Sequence, residues 1–181
     1  MLIRNTGERF GLVTKLLHWV IAVLIIFLIW LGWYMVDLTY YDRWYNASLE
    51  WHKSLGMLVL GLAVLKIGWQ LYTPPARAVA ALRPWERRAS AIVHVLLLAL
   101  VVLLPATGYV ISTSDGKGIS VFGWFTVPAL VPVDRGLRDF AIDAHFWLAY
   151  GGALIILGHV AAALKHQFVD RDGTLARMLW R

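Results

Sequence analysis

The chain has no cysteine. That absence excludes disulfides, thiolate ligation of haem iron, cysteine-held iron–sulfur clusters and covalent haem attachment through C-x-x-C-H. Charge is scarce too, because only 15% of the 181 residues are Asp, Glu, Lys or Arg, well below a soluble domain's share. The N-terminal MLIRNTGER lacks the short apolar core and small-residue cleavage site of a signal peptide, so the first apolar run is expected to stay in the membrane. No internal repeat and no low-complexity tract is visible. The net charge of +6 and pI near 9.8 do not indicate a nucleic-acid partner, since the basic residues sit at the ends of apolar runs, where their meaning is topological.

Apolar length is what the chain has in abundance: 60% of residues are hydrophobic and the mean hydropathy is +0.65. Ten tryptophans and seven tyrosines, many at the ends of apolar runs, suit interfacial aromatic belts. Four stretches are long enough to cross a hydrocarbon core of about 30 Å: about 16–36, 49–72, 89–113 and 143–166. The expected fold is all-α, a four-helix transmembrane bundle forming a single integral membrane domain over 1–181. Pro105 predicts a kink in the third helix.

Basic residues orient the bundle. Arg4, Arg9, Lys15, Arg77, Arg83, Arg87, Arg88, Lys165, Arg171, Arg177 and Arg181 fall on one side, against Arg43, Lys53, Lys117, Arg135 and Arg138 on the other. Both termini are therefore expected in the cytoplasm. The long 114–140 connection between helices three and four is expected outside, as a folded cap with a short interfacial helix near 134–140.

The fourth span, DAHFWLAYGGALIILGHVAAALKH, places His145 and His159 two heptads apart. That separation returns to within about 40° of one helix face and rises roughly 21 Å, so one helix presents an imidazole near each membrane surface. In the expected topology His52 shares the outer depth with His145, while His18 and His94 share the inner depth with His159. Two clamped haems would leave this pattern, the outer between His52 and His145 and the inner between His18 and His159. Imidazole on both faces of the iron favours electron transfer over oxygen activation. A lone histidine near the end of a span is usually an interfacial hydrogen-bonder, but five sorted into two depths argue for haem.

Several side chains keep alternative readings. His94 could replace His18 as a ligand, bond a propionate or line a quinone pocket. Lys66 follows His52 by two heptads and either pairs with a haem propionate or snorkels to the inner surface. Gly56, Gly151, Gly152 and Gly158 fit either porphyrin packing or helix contact. Trp147 is a membrane anchor or packs on a ring, and His166, beside Lys165, reads as a surface residue.

KLLHW around His18, EWHKSLG around His52, IVHVLLLALVVLLPATGY with His94 and Pro105, and the fourth span running on into DGTLARM together resemble the bacterial cytochrome b561 family over nearly the whole chain. The resemblance implies a multi-pass protein of the cell inner membrane with two non-covalent b-type haems, its iron ligands mapping to His18, His52, His145 and His159. Lys66 stands where the family often has arginine. One member type is a superoxide oxidase that releases oxygen and passes electrons to ubiquinone; others are haem-bearing relay subunits of dehydrogenases or hydrogenases.

A superoxide:ubiquinone oxidoreductase is thus the expected activity. Superoxide would be drawn to the outer face by Lys53, Lys117, Arg135 and Arg138 and would react by outer-sphere transfer, with no catalytic nucleophile or base. Asp139, Asp143 or His94 would relay protons to the quinone. The partners are superoxide, ubiquinone and lipid, with room for a redox protein. A relay subunit with its own soluble donor is the first rival, and a haem-free proton or ion conductor the second.

Overall fold

The computed structural model describes residues 2–74 and 83–179. Arg77 and Arg181 of the basic tally lie outside the described residues. Among the described residues four helices are long and apolar enough to cross a membrane: α1 (Leu12–Val36), α2 (Tyr45–Tyr72), α3 (Pro84–Ser112) and α4 (Arg135–Lys165), the last continuing through a π-helical turn to Asp170. Each starts several residues ahead of its uncharged run, and in α3 and α4 a local cap marks the start. In α3, Pro84 stands at the first helical position and the Arg83 N–H donates to the Glu86 carboxylate at 3.0 Å. In α4, Asp134 accepts from the Leu137 N–H at 2.7 Å.

That Asp134 cap corrects one expectation. Residues 134–140 form no separate interfacial helix; they are the cap and first turns of α4, since nothing between Arg135 and Asp143 interrupts it. Pro105 does not end α3, which runs on to Ser112.

The 114–140 connection contains the departure from all-α structure, an antiparallel hairpin of β1 (Ile119–Val121) and β2 (Phe125–Val127) with Ile119 opposite Val127. Phe122 and Gly123 turn it in left-handed conformations, φ 51° and 73°. Glycine takes such a φ freely; Phe122 does so while packed against the helical core.

Consecutive helices pack along the chain, α1 on α2, α2 on α3 and α3 on α4, whereas α4 barely meets α1. The core is thin. Ile21, Ile25 and Leu28 of α1 interlock with Leu55, Val59 and Ala63 of α2 and Val101 of α3. Most remaining apolar side chains, among them Val23, Ile26, Val64, Leu65, Leu154 and Leu157, face outward. In water that surface would aggregate; in lipid it is the solvated face.

Glycine contacts separate two readings left open above. A Cβ at Gly152 would lie 2.7 Å from Leu100 of α3, so this glycine lets α3 and α4 approach. At Gly56, Gly151 and Gly158 a Cβ would meet nothing within 4 Å. Helix contact therefore explains Gly152 alone.

Both termini share one end of the bundle. Trp19 Nε1 donates to the Met178 carbonyl at 3.0 Å, and Arg177 Nη2 to the Glu8 carbonyl at 2.7 Å. The hairpin closes the other end.

Candidate metal centres

At the hairpin end, His52 of α2 faces His145 of α4 with ring centroids 6.2 Å apart and planes at 69°. A metal–imidazole bond of about 2.0 Å, with roughly 1.1 Å from the bonded nitrogen to the ring centre, sets two rings on opposite sides of one metal about 6.2 Å apart. The pair thus already stands at the separation that one six-coordinate iron needs.

The surroundings of His145 decide which nitrogen is free. Its Nδ1 lies 3.0 Å from the Leu104 carbonyl and 3.0 Å from Thr107 Oγ1. A carbonyl only accepts, so Nδ1 carries the proton and the Nε2 lone pair is left for a metal. Thr107 spends its own hydrogen on the Leu103 or Leu104 carbonyl, at 2.9 and 2.8 Å. Glycines give the two rings clearance: a Cβ at Gly108 would come within 3.3 Å of His145 Cε1, and one at Gly32 within 3.4 Å of His52 Cε1. His52 Nδ1 is buried and has no hydrogen-bond partner among the described residues.

The hairpin is fastened over this end. Ser54 Oγ accepts the Phe122 N–H at 3.0 Å, and Trp51 meets the Phe122 ring edge-on at 5.5 Å. Tyr109 donates its hydroxyl to the Pro128 carbonyl and accepts the Leu130 N–H, both at 2.8 Å.

At the end holding the termini, His18 of α1 faces His159 of α4 at 6.4 Å, planes at 64°. His94 of α3 is nearer to His159, at 5.5 Å. That distance is most of an ångström too short for two rings on one metal, whereas the His18 distance fits. His94 Nδ1 instead lies 3.5 Å from Ser90 Oγ, a long hydrogen bond. Lys66 is half-buried and within electrostatic range of both His18 and His94. Both fitting pairs span helices that pack little on each other, α2 with α4 and α1 with α4.

His166 is a correction. Its side chain is only 14% exposed and its Nδ1 lies 2.9 Å from a carboxylate oxygen of both Asp170 and Asp172. The π-helical turn from His166 to Asp170 folds these acids back, which α-helical spacing does not reveal. Burial raises the Asp172 carboxyl, but hydrogen bonds from Thr174 and His166 outweigh it and hold Asp172 below the usual carboxylate range. Glu86, His166 and Asp170 offer ligand atoms within 4.8 Å of one another. Lys165 Nζ already supplies the cation there, 2.9 Å from Glu86 and 2.8 Å from Asp170.

Lys53, Lys117, Arg135 and Arg138 are all exposed at the hairpin end, but acids interleave with them. Lys117 lies 3.6 Å from Asp115, and Arg138 3.9 Å from Asp139. The Lys117 backbone N–H holds Asp115 below the usual carboxylate range, and the Thr39 hydroxyl and N–H do the same for Asp42. Asp139 and Asp143 are exposed on the first turns of α4. Trp147 is 71% exposed and meets Phe146 edge-on, so it faces outward as an anchor. Thr107, Gly32 and Gly108 were not legible as site residues; the string PATG was the one signal for two of them.

Known proteins add the family. A profile described as prokaryotic cytochrome b561 matches residues 9–181. Cytochrome b561 homolog 2 of Escherichia coli K12 is 42% identical, the match covering 97% of this chain and 93% of the relative. Cytochrome b561 homolog 1 of the same organism is 25% identical over 96% and 98% of the two chains. The probable superoxide oxidase CybB of Yersinia pestis is 28% identical over 90% and 91%. Facing imidazole pairs at metal-sharing distance in a four-helix membrane bundle agree with that match, and the chain belongs to the prokaryotic cytochrome b561 family, membrane electron-transfer proteins carrying b-type haem.

Proposed function

We propose that this chain is a superoxide:ubiquinone oxidoreductase of the inner membrane with two b-type haems, the outer held by His52 and His145 and the inner by His18 and His159. The carrying observation is that the two ring pairs stand at 6.2 and 6.4 Å, near the metal-sharing distance of about 6.2 Å, at opposite ends of α4. The similarity to a probable superoxide oxidase supports superoxide as the donor, and the family resemblance read from the sequence suggests ubiquinone as the acceptor.

A haem held by two imidazoles supplies one-electron exchange at its edge and leaves no coordination position open to oxygen. The protein contributes placement and charge. The α4 helix sets the two ligand levels roughly 21 Å apart along its axis. The hairpin is fastened to α2 through Phe122 and Ser54 at the end of the outer pair, while Lys53, Lys117, Arg135 and Arg138 raise the local concentration of an anion. No side chain needs to act as nucleophile or base on superoxide, because only an electron leaves it. Two superoxide ions become two oxygen molecules, and one ubiquinone takes two electrons and two protons to become ubiquinol.

Lys66, among the inner histidines, is assigned to a haem propionate, and His94 to the rim of that site rather than to iron. The end holding both termini faces the cytoplasm, by the excess of Arg and Lys there. The test is stopped-flow mixing of oxidised protein with superoxide, following the haem bands with and without a ubiquinone analogue. Fast reduction followed by quinone-dependent reoxidation is expected. Intact haem bands that superoxide leaves oxidised would instead make the chain a relay subunit of a dehydrogenase or hydrogenase.

A further inference from the structure

His145 differs from the other three proposed ligands in one respect. Among the described residues no hydrogen bond reaches a ring nitrogen of His18, His52 or His159, whereas His145 Nδ1 has two partners at 3.0 Å, the Leu104 carbonyl and Thr107 Oγ1. Both partners belong to α3, a helix that supplies no iron ligand in either pair.

The PATG string explains how α3 reaches the ring. The Thr107 hydroxyl donates back to the Leu103 or Leu104 carbonyl at 2.9 and 2.8 Å. Its lone pair is thereby turned toward His145. One residue on, Gly108 leaves out the Cβ that would stand 3.3 Å from His145 Cε1. Hydroxyl, carbonyl and missing side chain meet one imidazole.

We propose that Thr107 is a positioning residue of the outer centre: with the Leu104 carbonyl it fixes the tautomer, aim and donor strength of His145, and so lowers the reduction potential of the haem that His145 holds. This rests on the two-haem reading above. A hydrogen bond from Nδ1–H to an acceptor makes the opposite nitrogen a stronger donor and stabilises the oxidised metal. Electrons fall from lower to higher potential, so strengthening the outer ligand alone drives the electron onward to the inner pair. The bundle thus has a direction written into its supporting shell, although its four ligands are chemically alike.

The test is a redox titration of the purified two-haem protein with low-spin electron paramagnetic resonance spectra, in wild type, Thr107→Val and Thr107→Ser. His159→Ala, keeping only the outer haem, assigns the signals. Thr107→Val is expected to raise the outer potential and shift its resonance while the inner haem stays put, and Thr107→Ser to restore wild-type values. Thr107→Ala takes the place of valine if the added methyl expels the haem. Unchanged potentials with both haems bound, equal movement of both haems, or a serine variant displaced as far as the valine one would overturn the role of Thr107 and leave the superoxide reaction standing. A wild-type protein with a single haem per chain would sink the two-haem reading and this role with it.

Discussion

The two ends of the bundle present the same ligand chemistry in different settings. At the hairpin end, where Ser54 accepts the Phe122 N–H, the His52–His145 pair is flanked by Gly32 and Gly108 and tied to α3 through Thr107. At the opposite end, His18 and His159 share their space with His94 and Lys66, and the ordered structure lies around them in the terminal segments. Tight second contacts suit a centre that must hold its electron at a set potential. A looser, polar neighbourhood suits a centre that passes electrons to a partner that also takes up protons. Helix periodicity makes the ends equivalent; the loops and α3 make them differ.

Removing a ligand from one end should break this comparison most severely. His145→Ala and His159→Ala are each expected to halve the haem carried per chain, with the remaining haem keeping its own potential and spectrum. Pyridine haemochrome assay against protein concentration measures it. His94→Gln should keep both haems, because its 5.5 Å approach to His159 does not suit a shared iron. Loss of a haem in His94→Gln together with retention in His18→Ala would exchange those two residues in the ligand set.

Long apolar runs made the four helices legible, and the two-heptad step in α4 made the paired depths legible, because helix periodicity is local and survives in any sequence reading. What joins distant segments was not. The hairpin at Ile119–Val127 depends on Ser54, remote in sequence, to accept the Phe122 N–H. Thr107 acquires its role only when α4 brings His145 alongside. His166 looked exposed because its acids follow in a π-helical turn. His18 and His94 differ by under an ångström in the approach of their ring centroids to His159, a difference that spacing on separate helices cannot encode.

The fastenings of the two ends give the next effect. Asn5 is buried; its side-chain oxygen accepts from the Gly11 N–H and the Thr14 hydroxyl, both at 2.8 Å, and its Nδ2 donates to the Pro74 carbonyl at 3.2 Å. Asn5→Ala orphans all of them, and a buried unsatisfied polar group costs about 1–3 kcal/mol. The expected result is a lower midpoint of thermal unfolding in detergent, with earlier loss of the inner haem. Ser54→Ala orphans the Phe122 N–H and removes a long 3.4 Å bond to the Ser120 carbonyl, so about 1 kcal/mol is expected, with the outer haem leaving first. The reverse order of haem loss would remove the assignment of each fastening to its own end.

Glycine substitutions should have a milder effect. Gly108→Ala brings a methyl within 3.3 Å of His145 Cε1, so the ring must tilt by a few tenths of an ångström and the outer haem's spectrum should shift. Gly61→Ala meets nothing within 4 Å and lies about half a turn round α2 from His52, so it should leave both haem spectra unchanged, while gaining up to about 1 kcal/mol in helix propensity. Equal spectral shifts from the two would show that Gly108 is not a special clearance.

The smallest effect separates the ends by surface charge. Steering of an anion falls off over a Debye length of about 8 Å at physiological salt, so charges near the entry side should act and those at the far end should not. Lys53→Gln is expected to slow haem reduction by superoxide roughly two- to fivefold at low salt, and Asp115→Asn to speed it by a similar factor. Asp115 suits this reversal because the Lys117 N–H holds its carboxyl below the usual range, so it stays charged throughout neutral pH and loses its charge only under more acid conditions. Arg83→Gln, at the end holding the termini, should leave the rate as it is. All three differences should vanish together as salt is raised. A salt-independent loss in Lys53→Gln would mean that this lysine acts by contact within the outer site, and dependence on Arg83 would place the entry of superoxide at the other end of the bundle.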